Sequence, residues 1–133
     1  MYLNKLEGKE KEVFLDLAVQ TAKVNGMVEE TEKEMITRYC REMSISEYTI
    51  YEPRSIDEAA EFFKEEKKWK RRIVIFELIV LSAKDGKIDK KEREFFYTLA
   101  DKMGIKKGCV DDLEEDVKKY VKLTDKITED IMG

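Results

Sequence analysis

The sequence predicts an all-α protein, a single-domain bundle of about six or seven helices spanning residues 1–133. Two observations lead to this prediction. One proline and six glycines leave few of the turns that a multi-stranded sheet requires. Apolar residues recur at intervals of three and four, which is the period of an amphipathic helix. The predicted elements are, in chain order, helices over about 4 or 9 to 24 and 29 to 43, a short turn after 46, helices over 55 to 63, 65 to 84 and 89 to 103, one from 108, and a short terminal helix over 124 to 132.

Local signals place the ends of these helices. Asn25-Gly26 and Asp85-Gly86 each end a helix, because these residue types tolerate left-handed backbone. Asp89 with Glu92 forms a capping box that opens the next helix. The segment 73–81 is apolar nearly all round its helix, so we expect it at the centre of the bundle.

Composition excludes several classes of function. A net charge of −4 with both signs interspersed argues against a general nucleic-acid binder. The chain has no histidine, which removes the commonest general base, and two cysteines alone do not form a structural zinc site. The start of the chain lacks an apolar core of signal-peptide length, and no apolar run is long enough to span a bilayer. These features predict a cytoplasmic protein without enzymatic activity.

An internal repeat divides the chain into two similar units, residues 14–45 and 75–105. From Gly26 and Gly86 onward the two units align at a constant offset of 60 residues. Two copies are fewer than a solenoid needs. We therefore expect two helical hairpins packed face to face, with the remaining helices closing the sides.

Each unit carries a similar loop, NGMVEETE at 25–32 and DGKIDKKE at 85–92. Both match the second half of a calcium-binding EF-hand loop, in which Asp85, Asp89 and Glu92 would supply oxygen ligands. The first half does not match, since the earlier ligand positions of the second copy fall on Leu81 and Ala83. Calcium needs six to eight oxygens, so one loop alone is not an EF-hand.

An alternative interpretation of these loops requires no metal. Asp89 and Glu92 suffice as a helix cap, and Asp-Gly is an ordinary helix stop. Repetition does not decide between the two interpretations, because a duplication copies caps as readily as ligands. The residues alone leave both open.

The segment AKDGKIDKKE at 83–92, followed by M-G-I at 103–105, resembles the TerB-like tellurite-resistance family, whose domain also occurs in DjlA-type co-chaperones. The resemblance covers about residues 10 to 123. It implies an all-helical, non-enzymatic stress-response protein that acts with other, membrane-associated proteins. It also implies a divalent cation (Ca²⁺, Mg²⁺ or Mn²⁺) held by acidic loop residues. Carried over by position, these candidates are Asp85, Asp89 and Glu92 in the second copy and Asn25, Glu29 and Glu32 in the first.

Two further features have both functional and ordinary interpretations. Asp16 and Glu77 occupy equivalent positions in the two units, and could meet to share a proton or a cation. We favour a narrow solvated stripe, because basic residues follow them at intervals of seven. The basic cluster 67–72 contains Trp69, which we expect to pack on the core; an exposed Trp69 would instead indicate a partner site.

The sequence thus leads to a first hypothesis of a TerB-like stress-response protein that takes up a divalent cation. A rival hypothesis from another class is a metal-independent protein-interaction module, which should show a sizeable exposed apolar patch. A carboxylate-metal hydrolase is a third and weaker hypothesis, since it needs several acids converging on one cleft.

Overall fold

The computed structural model describes residues 1–26, 30–45, 53–84 and 86–133. Six α-helices and one 3₁₀ turn fall within these residues, which confirms the predicted all-α class. The turn predicted after Ser46 lies outside the described residues. The elements are the 3₁₀ turn Leu3–Lys5 and helices α1 Lys9–Ala22, α2 Glu30–Glu42, α3 Ile56–Lys64, α4 Lys68–Ser82, α5 Lys90–Lys102 and α6 Lys107–Met132.

Helix α4 lies at the centre of the bundle, as its nearly continuous apolar surface predicts. It packs against α1, α3, α5 and α6, and Ile75, Leu78 and Ile79 are fully buried. The helix ends at Ser82, two residues earlier than predicted. Ala83 adopts extended backbone, and Lys84 then exchanges two backbone hydrogen bonds with Lys87 across the tight loop.

The two repeat units form hairpins α1–α2 and α4–α5, and their first helices pack against each other. Phe14 and Leu17 of α1 are fully buried, as are Phe96 and Leu99 of α5. Helix α3, which comes between the units in sequence, packs on both α1 and α5. The fully buried residues of both units belong to one hydrophobic core.

Helix α6 is continuous to Met132, so the separate terminal helix predicted over 124–132 is wrong. No proline or glycine lies between Cys109 and Met132, and nothing in the sequence interrupts the helical backbone there. Tyr120, which continues the apolar spacing of Leu113 and Val117, is 46% exposed. The helix extends beyond the core, and Val121 is the last of its residues packed on it.

Candidate functional site

The two repeated loops lie side by side, at the ends of α1 and α4. The Asn25 side-chain amide of the first loop donates a hydrogen bond to Asp89 Oδ2 of the second at 2.9 Å. Asn25 belongs to the first unit and Asp89 to the second, so this hydrogen bond joins the two units. The described candidates of the two copies therefore border one shared region of the surface.

Asp89 and Glu92 form the predicted capping box at the start of α5. Asp89 Oδ1 accepts from the Glu92 backbone N–H at 2.8 Å, and Glu92 Oε1 accepts from the Asp89 backbone N–H at 2.9 Å. The hydrogen bond from the Glu92 backbone, with that from Asn25, lowers the pKa of Asp89. Burial raises the pKa of Glu92, and the neighbouring Asp89 charge adds to the effect. The capping box predicted for Asp89 and Glu92 is confirmed.

A cleft of about 450 Å³ opens between the two units. Asn25 and Glu32 line it from the first unit, and Ser82, Lys84 and Glu92 line it from the second. Equivalent glutamates from both copies thus border one cleft. The sequence could not show this convergence, because it depends on how α1 packs against α4.

Ser82, at the base of this cleft, is 4% exposed, and its Oγ has no hydrogen-bond partner among the described residues. Thr21 is its equivalent in the first unit, which has one extra residue, Val24, before the loop, and Thr21 donates to the Leu17 carbonyl at 2.7 Å. Burying a hydroxyl without a hydrogen-bond partner has a desolvation cost, so a polar group bound in the cleft would stabilise the protein by pairing with Ser82. The repeat contained the signal for this residue, since Thr21 and Ser82 match in sequence.

The described side chains do not complete a calcium site. Both Asp89 carboxylate oxygens accept protein hydrogen bonds, and one Glu92 oxygen is part of the cap. No group of three or more cysteine or acidic side chains within the described ranges is arranged to hold a metal ion. The candidates Glu29 and Asp85 lie outside the described residues.

The equivalent acids Asp16 and Glu77 are both buried, so the expected solvated stripe is wrong. Asp16 accepts a hydrogen bond from Arg54 at 2.6 Å, whereas Glu77 accepts from the Met1 amino group at 3.0 Å and the Tyr2 backbone N–H at 2.9 Å. The sequence did not indicate Arg54 as a partner, because it lies 38 residues from Asp16. Each acid has its own cationic partner.

Trp69 is 44% exposed and borders an apolar groove of about 400 Å³. The prediction that Trp69 packs away on the core is therefore wrong. Phe76 of α4 and Leu113 and Tyr120 of α6 also line this groove, and Tyr2 closes one end with its ring against Phe76. We call these five residues the Trp69 groove. The sequence singles out Trp69 within its basic cluster, but it does not predict that α6 lines the opposite side of the groove.

The described helices include none long and apolar enough to cross a membrane. Comparison with protein-family models, curated proteins and solved structures finds no match to this chain. The TerB-like resemblance therefore stays a prediction from the loop motif. The cleft and the Trp69 groove are the features of the described residues that bear on function.

Proposed function

We propose that this protein is a non-enzymatic helical interaction module that docks an apolar helical surface of a partner in the Trp69 groove. The exposure of Trp69 together with Tyr120, on opposite walls of one apolar groove, carries the proposal. Aromatic side chains are enriched at the centres of protein interfaces, where they supply large contact areas. A stress-response role is part of the proposal on the strength of the loop motif alone, and a cytoplasmic location on the strength of the composition alone.

The accessibility of the groove can be tested with the uncharged dye Nile red. We expect saturable binding by the folded protein, with protection of Trp69 from acrylamide quenching, because Trp69 is the only tryptophan in the chain. Tyr120→Lys places a charge in the groove and should weaken dye binding several-fold with unchanged helicity. Thr98→Lys, an exposed position of α5, is the matched control. Native protein that binds no dye while it is monomeric, or Tyr120→Lys that binds it as tightly, contradicts the proposal.

The cleft between the units supports a second candidate function, the uptake of a divalent cation. The observation that favours it is the buried Ser82 hydroxyl in a cleft that Glu32 and Glu92 also line, since a cation would supply the partner that Ser82 lacks among the described residues. Metal-stripped protein should then melt at a higher temperature in millimolar Ca²⁺, Mg²⁺ or Mn²⁺. A ligand at 100 times its Kd stabilises the native state by about 2.7 kcal/mol.

Two variants test whether the cation that raises the melting temperature binds in this cleft. Ser82→Ala should remove it with little change in the stability of the metal-free protein, because the substitution deletes a buried hydroxyl that makes no hydrogen bond to a described residue. Asp85→Asn with Glu92→Gln should also remove it while helical content is retained. A response that survives both changes places the cation elsewhere, and no response with any cation leaves the loops as helix caps.

A further inference from the structure

The C-terminal half of α6 is exposed on all sides. Every residue from Lys122 onward is exposed, and the helix of 26 residues is about 39 Å long. Its tip carries the two most exposed large apolar side chains of the described residues, Ile131 at 74% and Met132 at 80%. Exposed apolar side chains that form one continuous patch mark interaction sites.

The apolar residues of α6 follow a heptad pattern along its whole length. Spacings of three and four alternate along one stripe, formed by Val110, Leu113, Val117, Tyr120, Thr124, Ile127 and Ile131. The first part of the stripe packs on the core, with Val110 and Val117 buried. The second part, from Tyr120 onward, continues the same stripe on the exposed half. A sustained heptad stripe is typical of a helix that pairs with another helix.

Leu113 and Tyr120 belong both to the stripe and to the Trp69 groove, so the exposed part of the stripe begins at the groove. The exposed apolar tip and the apolar groove are therefore two ends of one continuous surface. If two such helices lie antiparallel, the tip of each reaches the groove of the other. Tyr120 of one copy then lies beside Ile131 of the other, and Thr124 beside Ile127.

We propose that this surface pairs with the same surface of a second copy of this chain, as an antiparallel, two-fold symmetric dimer. The inference rests on the proposed function, since it names the occupant of the same groove. A two-fold interface uses one patch on both copies, which the combination of tip and groove provides. The exposed residues 120–132 carry two lysines and three acidic residues, so like charge opposes self-association only weakly.

Charge complementarity supports the antiparallel orientation. At 100° per residue, Lys119 and Asp130 lie on the same flank of the stripe. In an antiparallel pair this flank meets its own copy, and the register set by Tyr120 and Ile131 brings Lys119 of each chain near Asp130 of the other. Asp130 already pairs with Lys126 of its own helix at 2.7 Å, through one of its two carboxylate oxygens. In a parallel pair, the flank that carries Lys119 and Asp130 would lie against the flank of the other copy that carries Val121 and Thr128. No such ion pairs would form there.

Sedimentation velocity of the full chain between about 1 and 300 µM tests the pairing, across the range in which a modest interface associates. We expect a monomer–dimer equilibrium in the native protein. Ile127→Lys with Ile131→Lys should give a monomer of unchanged helicity, since both side chains are exposed. Glu129→Lys, on the opposite face of the helix, should remain dimeric and is the matched control.

The orientation is tested by charge reversal in the same measurement. Lys119→Glu alone and Asp130→Lys alone should each weaken the dimer, on the order of fivefold for two pairs at the rim of an interface. The double variant should restore the native affinity, because the ion pairs are reversed rather than lost. A dimer that the double variant does not restore overturns the antiparallel register.

Failure of the dimer and failure of the proposed function give different results. A native chain that stays monomeric at every concentration but binds Nile red at the Trp69 groove overturns the dimer, and leaves the groove to a different partner. A native chain that is monomeric and binds no dye overturns both. A dimer that survives Ile127→Lys with Ile131→Lys overturns the proposed surface.

Discussion

Asp89 combines helix capping with contact between the repeat units in one side chain. One oxygen receives the backbone N–H of Glu92, and the other receives the Asn25 amide. Both hydrogen bonds favour the charged carboxylate, which is why the pKa of Asp89 is lowered. Glu92 responds in the opposite direction, since burial favours its neutral form and raises its pKa. Two acids three residues apart therefore have opposite effects on stability as the pH changes.

The lowered pKa of Asp89 predicts a specific loss of stability in acid. The stabilisation is present above the ordinary pKa of 3.8 and is lost as the pH falls through the lower folded-state pKa. Asp89→Asn should reduce this loss, because asparagine caps a helix about as well as aspartate but does not titrate. The measurement is the free energy of unfolding in urea between pH 3 and 7.

Two comparisons complete this test. Asp112→Asn, an exposed position of α6, controls for the removal of a carboxylate elsewhere. Asp89→Ala should cost about 0.5–2 kcal/mol at pH 7, the usual cost of losing an N-cap. If Asp89→Asn and the native protein lose stability in parallel below pH 4, the Asp89 cap does not depend on its charge.

The loop after α4 is held against α6 by a close backbone approach at Gly86. A Cβ placed there would lie 3.3 Å from Lys118 Cα and 3.3 Å from Val121 Cβ, and the φ of Gly86 is +77°. Arg93 strengthens the same junction, since its guanidinium donates to Glu114 of α6 at 2.6 Å and to the Ile88 carbonyl of the loop at 3.2 Å. The sequence predicts a turn at Gly86 but not this contact with α6.

Gly86→Ala and Gly26→Ala form a matched pair of substitutions. Gly26 also has a positive φ, +118°, but its Cβ would meet no atom of the described residues within 4 Å. Gly26→Ala should cost roughly 1–2 kcal/mol, from backbone strain alone. Gly86→Ala should cost about 1–3 kcal/mol more, because overpacking against α6 adds to the strain. Urea unfolding measures both, and equal costs would mean that the loop moves away from α6 without penalty.

The helices and their caps could be predicted because the signals that specify them are local. Asp89 and Glu92 form a cap through residues three apart, and Gly104, with φ of +74°, ends α5 where the sequence indicates. The uninterrupted α6 was not predicted, although no helix-breaking residue lies between Cys109 and Met132. Local chemistry thus specifies the elements more fully than apolar spacing alone.

The candidate sites depend on tertiary packing, which one sequence does not reveal. Asn25 meets Asp89 only because α1 packs on α4, and Trp69 becomes one wall of a groove only because α6 passes opposite it. The apolar period of α6 predicts a stripe, but it does not predict where the core ends and Tyr120 becomes exposed. For the same reason the partner of Asp16 could not be inferred from basic residues on its own helix.

The shared core of the two units predicts that the whole chain unfolds in one step. Leu17 of α1 and Leu78 of α4 are both fully buried in this core, and the contact between the units is mainly apolar. Leu17→Ala in the first unit should destabilise the protein by about 2–5 kcal/mol, the range for a buried leucine. The loss should lower the unfolding midpoint reported by Trp69, although Trp69 belongs to α4, in the other hairpin.

Far-UV circular dichroism should give the same midpoint, because a cooperative domain unfolds alike by both probes. Thr98→Lys, an exposed change, is the control that should leave both midpoints nearly unchanged. If the Trp69 transition stayed at its native midpoint while circular dichroism lost part of its signal earlier, the units would unfold separately, and the cleft between them would not be a fixed site.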